Sequence, residues 1–217
     1  MMRIEACIFD MDGLLLDTER LAYETFLATC EHFRLGDLSE VFKACLGTNL
    51  VLGRSILAKG LAGLIEVEVF IEEWRQRELE IMSVPLPVKE GALDLLTELK
   101  EQSIPLAVAT SSLTEKAHKK LSDAGLIDFF SVLVGGDQVS NSKPDPEIYL
   151  MAADRLQVQP ENCMAFEDSD NGVKSAVGAG MTVIQVPDLV EPSHDVLKLG
   201  HRVMGSLKEV RSMILMA

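Results

Sequence analysis

Four short strings concentrate carboxylates, hydroxyls and a lysine: Asp10-Met11-Asp12-Gly13, Thr110-Ser111-Ser112, Lys143-Pro144-Asp145 and Glu167-Asp168-Ser169. Carboxylates brought close together repel one another and need a cation between them. Hard oxygen ligands in small number suit Mg²⁺, which keeps waters and takes a substrate phosphate oxygen. Hydroxyls, backbone N–H groups and a lysine are what a phosphate needs around it. The charges are compatible. Asp10, Asp12, Glu167 and Asp168 bring four negative charges, and a divalent cation with Lys143 brings three positive ones. A phosphate dianion can then approach a carboxylate nucleophile.

These strings act together only if the fold delivers them to one place. Each follows a short apolar run: Ile4–Phe9, Ile104–Ala109, Ser131–Val134 (followed by Gly135-Gly136-Asp137 and then the lysine) and Cys163–Phe166. A fifth run spans Met181–Val186. None alternates cleanly between polar and apolar, so both faces of each strand are expected to be covered. Helical patterns lie between them. Glu90–Gln102 is apolar at 92, 93, 95, 96 and 99. Pro146–Gln157 starts with Asp145 as an N-cap, and Asn171–Gly178 follows Ser169 and Asp170, either of which can cap. This alternation predicts an α/β fold with a Rossmann-like, doubly wound parallel sheet, whose ligands sit at the carboxyl ends of the strands.

One stretch breaks the rhythm. Between Thr18 and Ser83 no strand is expected. Tyr23, Phe26, Leu27, Cys30 and Phe33 keep helical spacing, as do Val67, Phe70, Ile71, Trp74 and Ile81, and two more helices fit 38–46 and 50–60. An insert of about 65 residues is too long for a simple connection. It is expected to be a helical bundle hung on linkers at Leu14–Asp17 and Ser83–Pro87. The domains are then residues 1–16 with 85–217, and the insert 17–84.

Composition narrows the function. Among 217 residues, 34 are acidic and 20 basic, a net charge of −14. No basic stripe is present to displace counterions from nucleic acid, so no nucleic-acid partner is expected. No run free of charge is long enough to span a bilayer, so no membrane role is expected. Glu5, Asp10 and Asp12 argue against a signal peptide, and the four cysteines (7, 30, 45 and 163) show no close pairing. A reducing cytoplasm is the expected setting. The four histidines offer no metal spacing and the ten methionines read as core filling.

The segment Phe9-Asp10-Met11-Asp12-Gly13-Leu14-Leu15-Leu16-Asp17-Thr18-Glu19 resembles the first signature of the haloacid dehalogenase-like hydrolase superfamily. Thr110, Lys143-Pro144 and Glu167-Asp168-Ser169 match its later signatures in order, and the insert resembles its helical cap. The resemblance implies Asp10 as a nucleophile that forms an aspartyl-phosphate, and Asp12 as general acid and then base. It implies Mg²⁺ held by Asp10, the Asp12 carbonyl, Asp168 and Glu167, with Glu167 a ligand or a partner behind one. Thr110, the Ser111 amide and Lys143 would hold the phosphoryl oxygens. Dehalogenases proper lack the second aspartate, so dehalogenation is not expected.

Within the superfamily the chain resembles the β-phosphoglucomutase-like subgroup, its pseudouridine-5′-phosphatase-like members in particular. A small phosphate ester is the implied substrate, acted on by a monomer or weak dimer. True mutases carry a cap histidine where Ala22 stands and an arginine where Leu50 follows Gly47-Thr48-Asn49. Both departures favour hydrolysis over phosphotransfer between sugar positions. A receiver domain that accepts phosphate on an aspartate gathers similar groups, but its acceptor follows a middle strand and it has no such insert. Asp17 is expected to serve the hinge. Glu19, Thr48 and Asn49 are candidates for substrate contact, with helix-dipole and turn roles as the alternatives.

Overall fold

The computed structural model describes residues 4–48, 50–81 and 86–215. Six parallel strands lie in the order β3-β2-β1-β4-β5-β6. They are β1 (Ala6–Phe9), β2 (Leu106–Ala109), β3 (Val132–Val134), β4 (Cys163–Glu167), β5 (Thr182–Gln185) and β6 (Arg202–Val203). Five match the apolar runs. The sixth was not anticipated: its two residues are exposed and too short to show a period.

Alternation within β1 sets up two cores. Cys7 and Phe9 face one layer, where Phe9 stacks on Phe166 with ring centroids 4.5 Å apart. Ala6 and Ile8 face the other. Helices α5 (Ala92–Glu101), α6 (Thr114–Asp123) and α10 (Leu207–Leu215) cover the first layer through Leu95, Leu96, Leu121 and Val210. Helices α7 (Glu147–Leu156), α8 (Asp170–Gly178) and the short α9 (His194–Leu197) cover the second through Tyr149, Val173 and Val196. Helix α7 begins one residue later than expected. Pro146 precedes it, while Asp145 Oδ1 still accepts from the Glu147 amide at 3.0 Å. At α8 the cap is Ser169, whose hydroxyl accepts from the Gly172 amide.

The strand order reverses at β1: the chain steps outward through β2 to β3, then returns to β4 on the other side. The two connections leaving that point diverge and open a crevice at the carboxyl ends of β1 and β4. Asp10 and Glu167-Asp168 sit there.

Among its described residues the insert holds four helices and no strand: α1 (Thr18–Phe33), α2 (Ser39–Cys45), α3 (Leu50–Gly60) and α4 (Val67–Ile81). It has its own apolar centre. Phe26 is fully buried, with ring centroids 5.2–5.3 Å from those of Phe42, Phe70 and Trp74. The Trp74 indole donates to Thr25 Oγ1 at 3.0 Å. Where the chain leaves and re-enters the sheet domain, its two passages pair. Leu16 bridges Val88 antiparallel, the Asp17 amide donates to Pro87 O and the Lys89 amide to Leu15 O, both at 2.9 Å. The expected second linker and the 84/85 boundary fall largely on residues 82–85, outside the described residues.

Because Phe26 joins three aromatic rings within the insert alone, Phe26→Ala should destabilise that unit by about 3–5 kcal/mol. Hydrogen exchange should show faster exchange in α1 and α4 with β1 and β4 unchanged. Uniform loss of protection would show that the insert does not unfold separately.

Candidate active site

One residue past β1, the Asp10 amide donates to Phe166 O at 3.0 Å and carries the parallel ladder to the edge of the crevice. Asp10 is 7% exposed. Lys143 arrives from the segment after β3 and is equally buried. Its ammonium has three acceptors: Asp10 Oδ1 at 2.6 Å, Glu167 Oε1 at 2.5 Å and Ala109 O at 2.9 Å. Glu167 has no exposed surface, and its Oε1 also accepts from the Tyr149 hydroxyl at 2.6 Å. Asp10, Glu167 and Asp168 each offer an oxygen within 4.8 Å of the others.

Too much negative charge is gathered here for one ammonium. Burial pushes the Asp10 carboxyl up to about 7 against the pull of Lys143, with Glu167 adding to the rise. Burial, then Glu19, Asp10 and Glu167, lift Asp168 well above the carboxylate range. Burial and then Asp188 raise Glu19 to about 8, and Glu19 shares a hydrogen bond with Asp168. Lys143 is held above its ordinary value: Asp10 and Glu167 outweigh the burial that opposes its charge. An all-oxygen, buried set in which burial and neighbouring acids raise Asp10 and Asp168 fits a divalent cation.

Asp12 faces a different way. Its Oδ1 accepts from Thr18 Oγ1 at 2.6 Å and from Lys120 Nζ at 2.7 Å, and its Oδ2 accepts from Ser112 Oγ at 2.7 Å. Burial raises this carboxyl, but Lys120 and the two hydroxyls outweigh it and leave it below the ordinary aspartate value. Gly13 lets the loop close. It has φ +85°, and a Cβ there would lie 2.5 Å from Asp168 Oδ2. At the end of β2, the Thr110 amide donates to Val134 O at 3.0 Å, and Thr110 Oγ1 accepts from the Ser112 amide at 3.1 Å. Ser111, between them, is half-buried.

The structure thus brings Asp10, Lys143, Glu167 and Asp168 together, with Thr110 and Ser111 on the adjoining strand end. Glu19 joins them from α1. It also lines a cavity of about 180 Å³ with Asp168, Asn171, Asp188 and Lys43. Thr48 is not brought in: its hydroxyl donates to Cys45 O at 2.6 Å and closes its own turn. The neighbouring Gly47 touches the sheet domain instead, its carbonyl accepting from Asn171 Nδ2 at 3.2 Å. Asn49 lies outside the described residues. Asp17 holds the paired linkers, with Lys89 Nζ 3.3 Å from Asp17 and 2.5 Å from Asp188. Sequence reasoning missed Lys120 and Tyr149. Both lie within ordinary amphipathic helices, and nothing local marks a residue whose partner is distant in the chain.

Gly172, in the first turn of α8, leaves the space that Glu167 fills: a Cβ there would overlap the carboxylate. Gly172→Ala should displace Glu167 and cost about 1–3 kcal/mol, overpacking a site that cannot expand. Thermal unfolding would measure the loss. An unchanged midpoint would mean that α8 shifts freely.

The model of the haloacid dehalogenase-like hydrolase family matches residues 7–186. The chain is 37% identical over 178 residues to the phosphorylated carbohydrates phosphatase of Thermotoga maritima, covering 82% of each chain. It is 34% identical over 220 residues to the "Probable pseudouridine-5′-phosphatase" of Drosophila melanogaster, covering 96% of this chain and 92% of that one. Among solved structures, a HAD family hydrolase of Deinococcus radiodurans with bound phosphate and sodium superposes with a TM-score of 0.81 at 26% identity, covering 99% of this chain and 96% of that one. With the family pattern running through most of its length and an acidic cluster at the switch point of its sheet, this chain belongs to the haloacid dehalogenase-like hydrolases.

Proposed function

We propose that the protein is a Mg²⁺-dependent phosphomonoesterase that releases phosphate from a small sugar or nucleoside phosphate through an aspartyl-phosphate. The observation that carries this reading is the buried Asp10 carboxylate, 2.6 Å from Lys143 and grouped with Glu167 and Asp168. Relatives named for phosphorylated carbohydrates and pseudouridine phosphate support the substrate class.

In this reading Asp10 attacks phosphorus while the ester oxygen leaves and takes a proton from Asp12. Water then attacks the aspartyl-phosphate and gives a proton to Asp12, and phosphate departs with Asp10 restored. Thr110, the Ser111 amide and Lys143 hold the phosphoryl oxygens, since phosphoryl transfer depends chiefly on positioning and charge. Asp10, Asp168, the Asp12 carbonyl and Glu167 would hold Mg²⁺, which supplies the positive charge the acids lack. Lys143 and Tyr149 both bind Glu167 Oε1, which favours Glu167 as a partner behind the ligands. Glu19, at the cavity wall, is the better-supported of the substrate candidates.

We take residues 17–84 to act as a cap that shuts out water over the core formed by 1–16 and 85–217. The acid excess and unpaired thiols favour a cytoplasmic enzyme without a nucleic-acid partner. Among the described residues no helix is long and apolar enough to cross a membrane.

Phosphate release from a panel of sugar and nucleoside monophosphates tests this. Release should need Mg²⁺, stop in EDTA and fall to background in Asp10→Asn. Asp168→Asn should raise the Mg²⁺ needed by more than about tenfold. Full turnover by Asp10→Asn would remove the mechanism. With glucose 1-phosphate, phosphorus NMR should show inorganic phosphate; glucose 6-phosphate would identify a phosphotransferase instead.

A further inference from the structure

Lys120 is a core lysine that the family signatures do not include, yet it forms an ion pair with Asp12. It lies in α6, its side chain is 16% exposed, and its ammonium is 2.7 Å from Asp12 Oδ1. Thr18, the first residue of α1, donates to the same oxygen at 2.6 Å. Asp12 Oδ2 has one contact among the described residues, the Ser112 hydroxyl at 2.7 Å.

The two oxygens are therefore not equivalent. An ammonium donates and cannot accept. A proton on Oδ1 would displace the Lys120 ammonium and forfeit a charge-assisted hydrogen bond. Oδ2 faces a hydroxyl, which rotates and accepts as readily as it donates. A proton on Oδ2 costs no bond.

Resting on the reading of Asp12 as acid and base, we propose that Lys120 is a positioning residue that distinguishes the two oxygens of Asp12. It holds Oδ1 in a standing ion pair and leaves Oδ2 to carry the proton that moves. In the first step the bond from phosphorus to the ester oxygen breaks, and that oxygen takes the proton from Oδ2. In the second, water bonds to phosphorus, the bond to Asp10 breaks, and the water proton goes to Oδ2.

The insert has a share in this arrangement. Thr18, the first residue of α1, and Lys120 hold the same oxygen of Asp12.

The test uses two esters, since an alkoxide leaving group needs the acid and a nitrophenolate does not. Lys120→Met keeps the length of the side chain and removes its charge. It should lower kcat/KM for an alkyl phosphate by about tenfold or more, part of the 10²–10⁴ that general acid catalysis supplies. For p-nitrophenyl phosphate kcat/KM should stay within about twofold, and Lys120→Arg should restore the alkyl ester. Thermal midpoints confirm folding, with Lys120→Gln as the substitute if the Met variant is unstable.

An equal fall on both esters, or no fall on either, would overturn the assignment. Wild type and Asp10→Asn run alongside. If wild type cleaves neither ester, or Asp10→Asn cleaves both, the phosphatase reading fails and this proposal with it. If those controls behave and Lys120→Met does not, the Lys120 assignment alone is lost.

Discussion

A buried ammonium holds this site together. Lys143 lies between Asp10 and Glu167 with a backbone carbonyl as its third acceptor, and almost none of its surface reaches solvent. Removing one member of such a group leaves an uncompensated buried charge, a loss on the order of 3–5 kcal/mol. The neighbouring architecture conforms to it. Tyr149 turns its hydroxyl from α7 onto Glu167, Gly172 leaves room for that carboxylate, and the reversal of strand order opens the crevice that lets all of them converge.

Asp10 and Asp12 are two residues apart and live in opposite electrostatic settings. Burial, then neighbouring acids, push Asp10 up; around Asp12 burial is outweighed by Lys120 and two hydroxyls, and it is pushed down. The shifts record the charges and hydrogen bonds around each carboxyl. The separation depends on the loop conformation at Gly13 and on donors from three places: the insert hinge, the end of β2 and α6.

The insert and the sheet domain are joined beside the acidic cluster. Their linkers pair beside Asp17, Lys89 bridges Asp17 to Asp188, and Glu19 and Gly47 touch Asp168 and Asn171. Thr18 on Asp12 and Glu19 on Asp168 tie the insert to both parts of the cluster.

Much of this was legible along the chain. Strands buried on both faces read as continuous apolar runs, and the acids, hydroxyls and lysine stand directly after them, so five strands, the helical insert and the Asp10–Lys143–Asp168 set follow from local pattern. β6 did not, because two exposed residues carry no period. Helix α7 begins one residue later than its pattern, though Asp145 caps it as expected. Thr48 was a candidate from its position in a turn, and only the folded chain shows its hydroxyl spent within that turn. Lys120 and Tyr149 had no signal at all: Lys120 meets Asp12 across 108 residues, and helical periodicity records which face is buried, not which distant group lies beneath it. Sequence by itself determined which reactive groups exist and that one sheet edge collects them, since hydrophobic pattern and turn chemistry are local. Only the tertiary structure decided which oxygen meets which donor, and hence which acid is raised and which lowered, because burial and Coulomb interactions depend on distances that no local pattern encodes.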